Sequence, residues 1–150
     1  MKITYLTQLS TFNERPFPNE GLTLVQIQDL RDKFNNGKSF PKAFEEYLYL
    51  AGIYNNIGLN GPDTIEELQK EMAADLEESN QKMERPWMAY HEIYSNYGFI
   101  FLDETAEDPK CFICEPEKGK ANRQNLFREP GYTFTEMVNE RIRRLKDGTF

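Results

Sequence analysis

The sequence predicts an α+β fold in which an antiparallel β-sheet is flanked by helices. Three observations carry that reading. Gly98 to Glu115, GFIFLDETAEDPKCFICE, holds two short apolar runs rich in aromatic and β-branched residues, Phe99–Leu102 and Lys110–Glu115, the composition of buried strands. ETAEDP between them is polar and ends in proline, which has no amide hydrogen for a ladder, so the pair reads as a central hairpin with an acidic tip. Several amphipathic segments elsewhere supply the helices that two apolar strands need as cover.

Taken in order, residues 1–20 alternate weakly at Ile3 and Tyr5 and end in RPFPNEG, an extended N-terminal arm or short edge strand. Thr23 with Gln26 makes a capping-box pattern, after which Leu24, Ile27, Leu30 and Phe34 recur at helical spacing up to Asn35-Asn36-Gly37. In FPKAFEEYLYLAG, Pro41 stands where a first-turn proline is tolerated, Phe44, Tyr47, Leu48 and Ala51 share a face, and Gly52 stops the helix. A turn-rich connection from Asn55 to Pro62 leads to a third helix, capped by Asp63 or Thr64 with Glu66 or Glu67. Its apolar stripe is Ile65, Leu68, Met72 and Leu76.

Pro86-Trp87 opens a run whose alternation (Met88, Tyr90, Glu92, Tyr94 against His91, Ile93, Ser95) predicts a strand, and Asn96-Tyr97-Gly98 is expected to turn it into the hairpin. Beyond Glu115 the sequence predicts a loop, a short strand at Asn125–Arg128 and a turn at Pro130-Gly131. A last helix, boxed by Thr133 and Glu136, is expected to bury Phe134, Met137, Val138, Ile142 and Leu145. Arg141, Arg143, Arg144 and Lys146 in its final turns complement the helix dipole.

At 150 residues, with no linker-like stretch, the chain is expected to form one domain. A formal charge of −7 sets it against nucleic acid phosphates and anionic lipid, so neither nucleic acid nor membrane is an expected partner and basic proteins are. The N-terminus lacks signal-peptide character and no run could span a bilayer, which predicts a soluble, cytoplasmic protein. Asp63–Glu84 carries eight acidic residues against two lysines, whereas Lys118–Phe150 carries eight basic against four acidic. This segregation reads equally as patches that attract different surfaces or as solvated helix faces.

The chemistry-bearing residues are few. Cys111 and Cys114 form C-x-x-C, but within a strand, where residues three apart face opposite ways, so both are expected to be packing residues. Neither redox chemistry, which wants a helix N-terminus, nor zinc, which wants two more ligands, is favoured there. His91 is the lone histidine and reads as a core or rim residue. The tip carboxylates Asp103, Glu104, Glu107 and Asp108 read as a solvated turn in preference to a catalytic site, with an acidic recognition surface as the third reading. No phosphate loop or nucleophile triad occurs, and no enzyme activity, metal or cofactor is expected. Trp87 and the tyrosines Tyr47, Tyr49, Tyr54, Tyr90, Tyr94 and Tyr97 are mostly core, with some lining a binding surface.

The order of these signals resembles the SUKH superfamily, the Smi/Knr-like proteins. The residues that carry it are Pro41, Leu48 and Gly52, then Trp87, then Phe101, Leu102 and Asp103, then Asp108 and Pro109, and finally Thr133 and Phe134, spanning roughly Leu22 to Leu145. The resemblance implies a non-catalytic protein: in most bacterial members, an immunity protein of a polymorphic or contact-dependent toxin system that binds and neutralises a cognate toxin domain, often a nuclease. The alternative it leaves is a regulatory or scaffold module of the same fold acting on an endogenous protein. An acidic inhibitor suits a basic toxin, through steering and by occupying a phosphate-binding cleft. The expected partner-binding residues are Glu104, Glu107 and Asp108 at the tip and Asp75, Glu77 and Glu78 on the acidic helix, with Trp87 or nearby tyrosines as anchors.

Overall fold

The computed structural model describes residues 1–14, 16–60, 63–121 and 126–150. It forms an antiparallel meander of β1 (Trp87–Ile93), β2 (Asn96–Phe101), β3 (Phe112–Cys114) and β4 (Phe127–Arg128), in that order across the sheet. Helices cover both faces. Alternation along β2 shows why: Tyr97, Phe99 and Phe101 point to one face, where α4 (Ile65–Glu78) lays Leu68, Met72 and Leu76 over them. Ile100 and Leu102 point to the other, toward the larger core of α1 (Thr7–Thr11), α2 (Leu24–Phe34), α3 (Lys42–Ala51) and α6 (Phe134–Asp147). A short α5 (Pro116–Ala121) joins β3 to the segment before β4. Among the described residues no helix is long and apolar enough to cross a membrane.

Local chemistry sets the helix starts. Thr23 with Gln26, Thr64 with Glu67 and Thr133 with Glu136 each close a reciprocal capping box, satisfying two otherwise orphaned amides per helix. Phe134, in the first turn of α6, is fully buried against Phe44, Tyr47 and Tyr90, with ring centroids 5.6, 5.7 and 5.2 Å away in edge-on geometry. Gly52 ends α3 with a right-handed φ of −73°, so conformational freedom is not its role. A Cβ there would stand 2.5 Å from the Leu48 carbonyl oxygen, and glycine is required for room.

Several expectations are corrected. The turn between β1 and β2 is Tyr94-Ser95, both left-handed at φ 53° and 59°, the conformation of a two-residue hairpin turn. Asn96, Tyr97 and Gly98 lie inside β2. Gly98 serves the strand by leaving space, since a Cβ would meet the Tyr90 ring at 2.7 Å. The first twenty residues are not an extended arm alone: they contain α1, and Leu6, Leu9 and Phe12 are core residues. The reason lies in α3, whose Glu46 is fully buried and accepts the amide hydrogens of Thr4, Tyr5 and Leu6 at 2.7, 2.9 and 2.9 Å.

The second strand of the central hairpin is shorter than Lys110–Glu115, because the Lys110 and Cys111 backbones turn away to meet Thr133 and Tyr132. Pro116–Ala121, expected as loop, is helical. Leu145 is only partly buried. Arg15, Pro62 of the expected turn and Asn125 of the expected strand lie outside the described residues.

Candidate functional site: an acidic helix face and an exposed turn

The structure divides the expected partner-binding residues among different surroundings. Arg85, just before β1, stacks on the Phe101 ring at 3.8 Å and grips Asp103, in the loop between β2 and β3, with Nε and Nη2, at 2.9 and 2.7 Å. The same Nη2 reaches Glu104 at 3.4 Å. Arg85 thereby holds the Asp103 carboxyl below the usual carboxylate range. Glu107 is exposed and accepts the Tyr5 hydroxyl at 2.8 Å, while its backbone carbonyl accepts the Ala43 amide at the start of α3. Asp108 Oδ1 accepts the Thr135 amide at 2.9 Å, in the first turn of α6. The acidic tip is therefore a junction tying the hairpin to the N-terminal segment, α3 and α6, with Glu104 half-buried and Glu107 at its surface.

The face of α4 differs. Glu67, Glu71 and Asp75 recur every four residues and so stand in a row along the helix. Glu71 feels Asp63, Glu92, Asp75 and Glu67. Burial first and then these like charges push its carboxyl above the usual range. Among the described residues none of Asp63, Glu67, Glu71, Asp75, Glu77, Glu78 or Glu92 has a Lys or Arg within salt-bridge distance, whereas Glu66 on the same helix meets Lys33 and Lys70 at 3.0 and 3.2 Å. Asp75 accepts the Tyr97 hydroxyl at 2.5 Å, and Glu77 and Glu78 are exposed at the end of the helix. Tyr97 is pushed up by burial and by that carboxylate.

Beside Glu92, the β1–β2 turn projects Tyr94, 91 % exposed. The two left-handed residues of that turn hold the tyrosine on a short rigid corner, at little entropy cost to a partner that covers it. Trp87 lies at the opposite end of β1, about 20 Å along a seven-residue strand. It is half-buried beside Arg85, in a cleft with Lys33, Phe34, Lys70 and Met83. Trp87 thus belongs with the tip junction, and Tyr94 with the acidic face. Sequence reasoning placed Tyr94 only among many tyrosines; its signal was position, at the point where one strand pattern ends and the next begins.

The sulfur atoms and the imidazole offer no reactive arrangement. Cys111 and Cys114 are free and buried in different cores on opposite faces of the sheet. Burial raises both thiols to about 12, so neither presents a thiolate. His91 is held neutral, lowered to about 4 by burial and by Arg141. Among the described residues no group of three His, Cys, Asp or Glu is placed to hold a metal ion. Comparison of the chain with protein-family models, curated proteins and solved structures finds no match in any of the three.

Proposed function

We propose that the protein is a non-enzymatic immunity protein of the SUKH kind, working in the cytoplasm of a bacterium to bind and neutralise the basic toxin domain, such as a nuclease, of a polymorphic or contact-dependent system. The order of sequence motifs from Pro41 to Phe134 motivates the family, and the α+β architecture with helices on both sheet faces is compatible with it. The observation that carries the binding reading is the α4 face. Glu67, Glu71, Asp75 and Glu92 crowd like charge with, among the described residues, no Lys or Arg within salt-bridge distance, and the repulsion on Glu71 is relieved when a basic partner docks. Tyr94 beside it supplies the apolar anchor that a charged rim alone lacks.

The experiment is co-expression with the toxin domain encoded beside the gene, scoring rescue of growth and co-purification. Rescue with a stable complex is expected. A complex with an endogenous housekeeping protein, and no rescue from any adjacent toxin, replaces this reading with the regulatory or scaffold module.

A further inference from the structure

A second site lies on the opposite face of the sheet from α4. The register of β1 on β2 shifts between Ala89 and His91, and both Tyr90 and His91 line a concavity of about 200 Å³ walled by α6. Gly98, the partner of His91 across the ladder, contributes no side chain, and the Tyr90 ring packs over it.

The charged groups around this space are two arginines and one glutamate. Arg141 of α6 gives Nε to the Ile57 carbonyl at 2.7 Å and Nη2 to the Gly58 carbonyl at 2.8 Å. Its Nη1 makes no hydrogen bond to a described residue. Unlike Arg143 and Arg144, which meet Glu140 at 2.7 and 2.8 Å, Arg141 has no carboxylate within salt-bridge distance among the described residues. The residues outside the description include no Asp or Glu. Its neighbours include the phenols of Tyr90, Tyr47 and Tyr132 and the Phe150 ring, 4.7 Å from the guanidinium carbon.

His91 Nδ1 is shielded from solvent and has no partner among the described residues. Arg128 adds a second guanidinium, and the one lining carboxylate, Glu115, is already approached by Lys118 at 3.3 Å and by Arg128 at 3.9 Å. Two arginines against one glutamate make the lining net positive in a chain of net charge −7. A half-buried guanidinium without a carboxylate leaves unmet donor capacity of the kind an oxyanion fills.

We propose that this concavity binds a small free oxyanion, a carboxylate or a phosphate group, held by Arg141 and Arg128 beside the His91 imidazole. The site is independent of any protein partner. It differs in sign from the α4 face, so the chain presents an anion site and a cation-seeking surface on opposite sides of one sheet.

His91 is the only histidine, so its imidazole proton resonances are unambiguous in NMR spectra of the full chain. Titration with sodium acetate and, separately, with inorganic phosphate at fixed ionic strength, against a chloride control, is expected to give a saturable His91 shift. In phosphate the titration midpoint of His91 is expected to rise by at least one pH unit. Arg141→Gln, and separately Asn96→Asp, which places a carboxylate in the lining, are each expected to weaken binding at least tenfold. Should Arg141→Gln lose its fold with the Ile57 and Gly58 contacts, Asn96→Asp decides alone. A His91 response no larger than that to chloride, or one that Asn96→Asp leaves unchanged, overturns the proposal. Saturation by only one of the two anions narrows the ligand to that class and upholds it.

Discussion

Asp108 Oδ1 accepts the amide hydrogen of Thr135 at 2.9 Å, so a carboxylate of the acidic loop closes the N-terminus of α6 from outside the helix. Negative charge at that position satisfies an orphan donor and is attracted to the positive end of the helix dipole. Asp108→Ala is expected to lower stability by about 1 kcal/mol, read from urea unfolding, without changing the overall fold. A loss within experimental error would show that the contact is incidental.

Glu46 makes a stronger prediction. It is fully buried and receives three consecutive backbone amides, with Lys42 Nζ at 3.9 Å. Glu46→Gln keeps the shape but replaces one acceptor oxygen by a donor, and is expected to cost about 2 kcal/mol. Hydrogen exchange locates the effect: the amides of Tyr5 and Leu6 should lose protection while those of β2 keep theirs. Uniform loss across the chain would contradict a local strap.

The pH dependence of stability has one distinctive component. His91 is lowered from 6.5 to about 4 by folding, so the native state disfavours the imidazolium and the unfolded chain accepts the proton first. The contribution is fully present above pH 6.5 and is lost as pH falls from 6.5 toward 4, in all about 3 kcal/mol. His91→Gln should therefore lose less stability between pH 7 and pH 4.5 than the wild type does, when both are compared by urea unfolding. Parallel losses would show that carboxylates alone control this range.

Thiol labelling tests the cysteines. With both thiols buried and raised to about 12, an aromatic disulfide reagent is expected to label neither in minutes under native conditions and both in denaturant. Rapid labelling of either in the native state would reopen a redox role for the C-x-x-C.

What could be read from the sequence is what depends on near neighbours. Thr23, Thr64 and Thr133 each signal a helix start because the box partner is three residues away, and all three boxes form. The opposite burial of Cys111 and Cys114 is what alternation along a strand predicts, although only Cys114 lies within β3 and Cys111 reaches its core through the bond of its amide to the Tyr132 carbonyl. What could not be read depends on distant partners. Tyr94-Ser95 lacks the Asn-Gly chemistry of a tight turn, while Asn96 and Gly98 nearby imitate it, and only the Tyr90 ring across the ladder explains the glycine. Glu46 sits among charged residues of α3 like any solvated side chain until the N-terminal segment folds onto it.

The same limit applies to the acidic residues. Asp108 and Glu78 are equivalent in composition, yet one caps α6 and the other is exposed at the end of α4. Arg141 stands in a basic run that suggests a dipole-matching tail, and only the fold turns it to the Ile57 and Gly58 carbonyls.

The central claim is that the α4 face and the Tyr94 turn recognise a basic partner. It is tested most directly by stopped-flow association with the toxin domain encoded beside the gene, comparing wild type with Glu71→Lys/Glu92→Lys, with Tyr94→Ala and with Glu104→Lys/Glu107→Lys. The α4 double reversal is expected to slow association at least tenfold at low salt and to flatten its salt dependence. Tyr94→Ala should mainly speed dissociation, and the loop double reversal should have the smaller effect on association. Unchanged association for Glu71→Lys/Glu92→Lys, with slowing confined to the Glu104 and Glu107 variant, would contradict it and return the interface to the acidic loop.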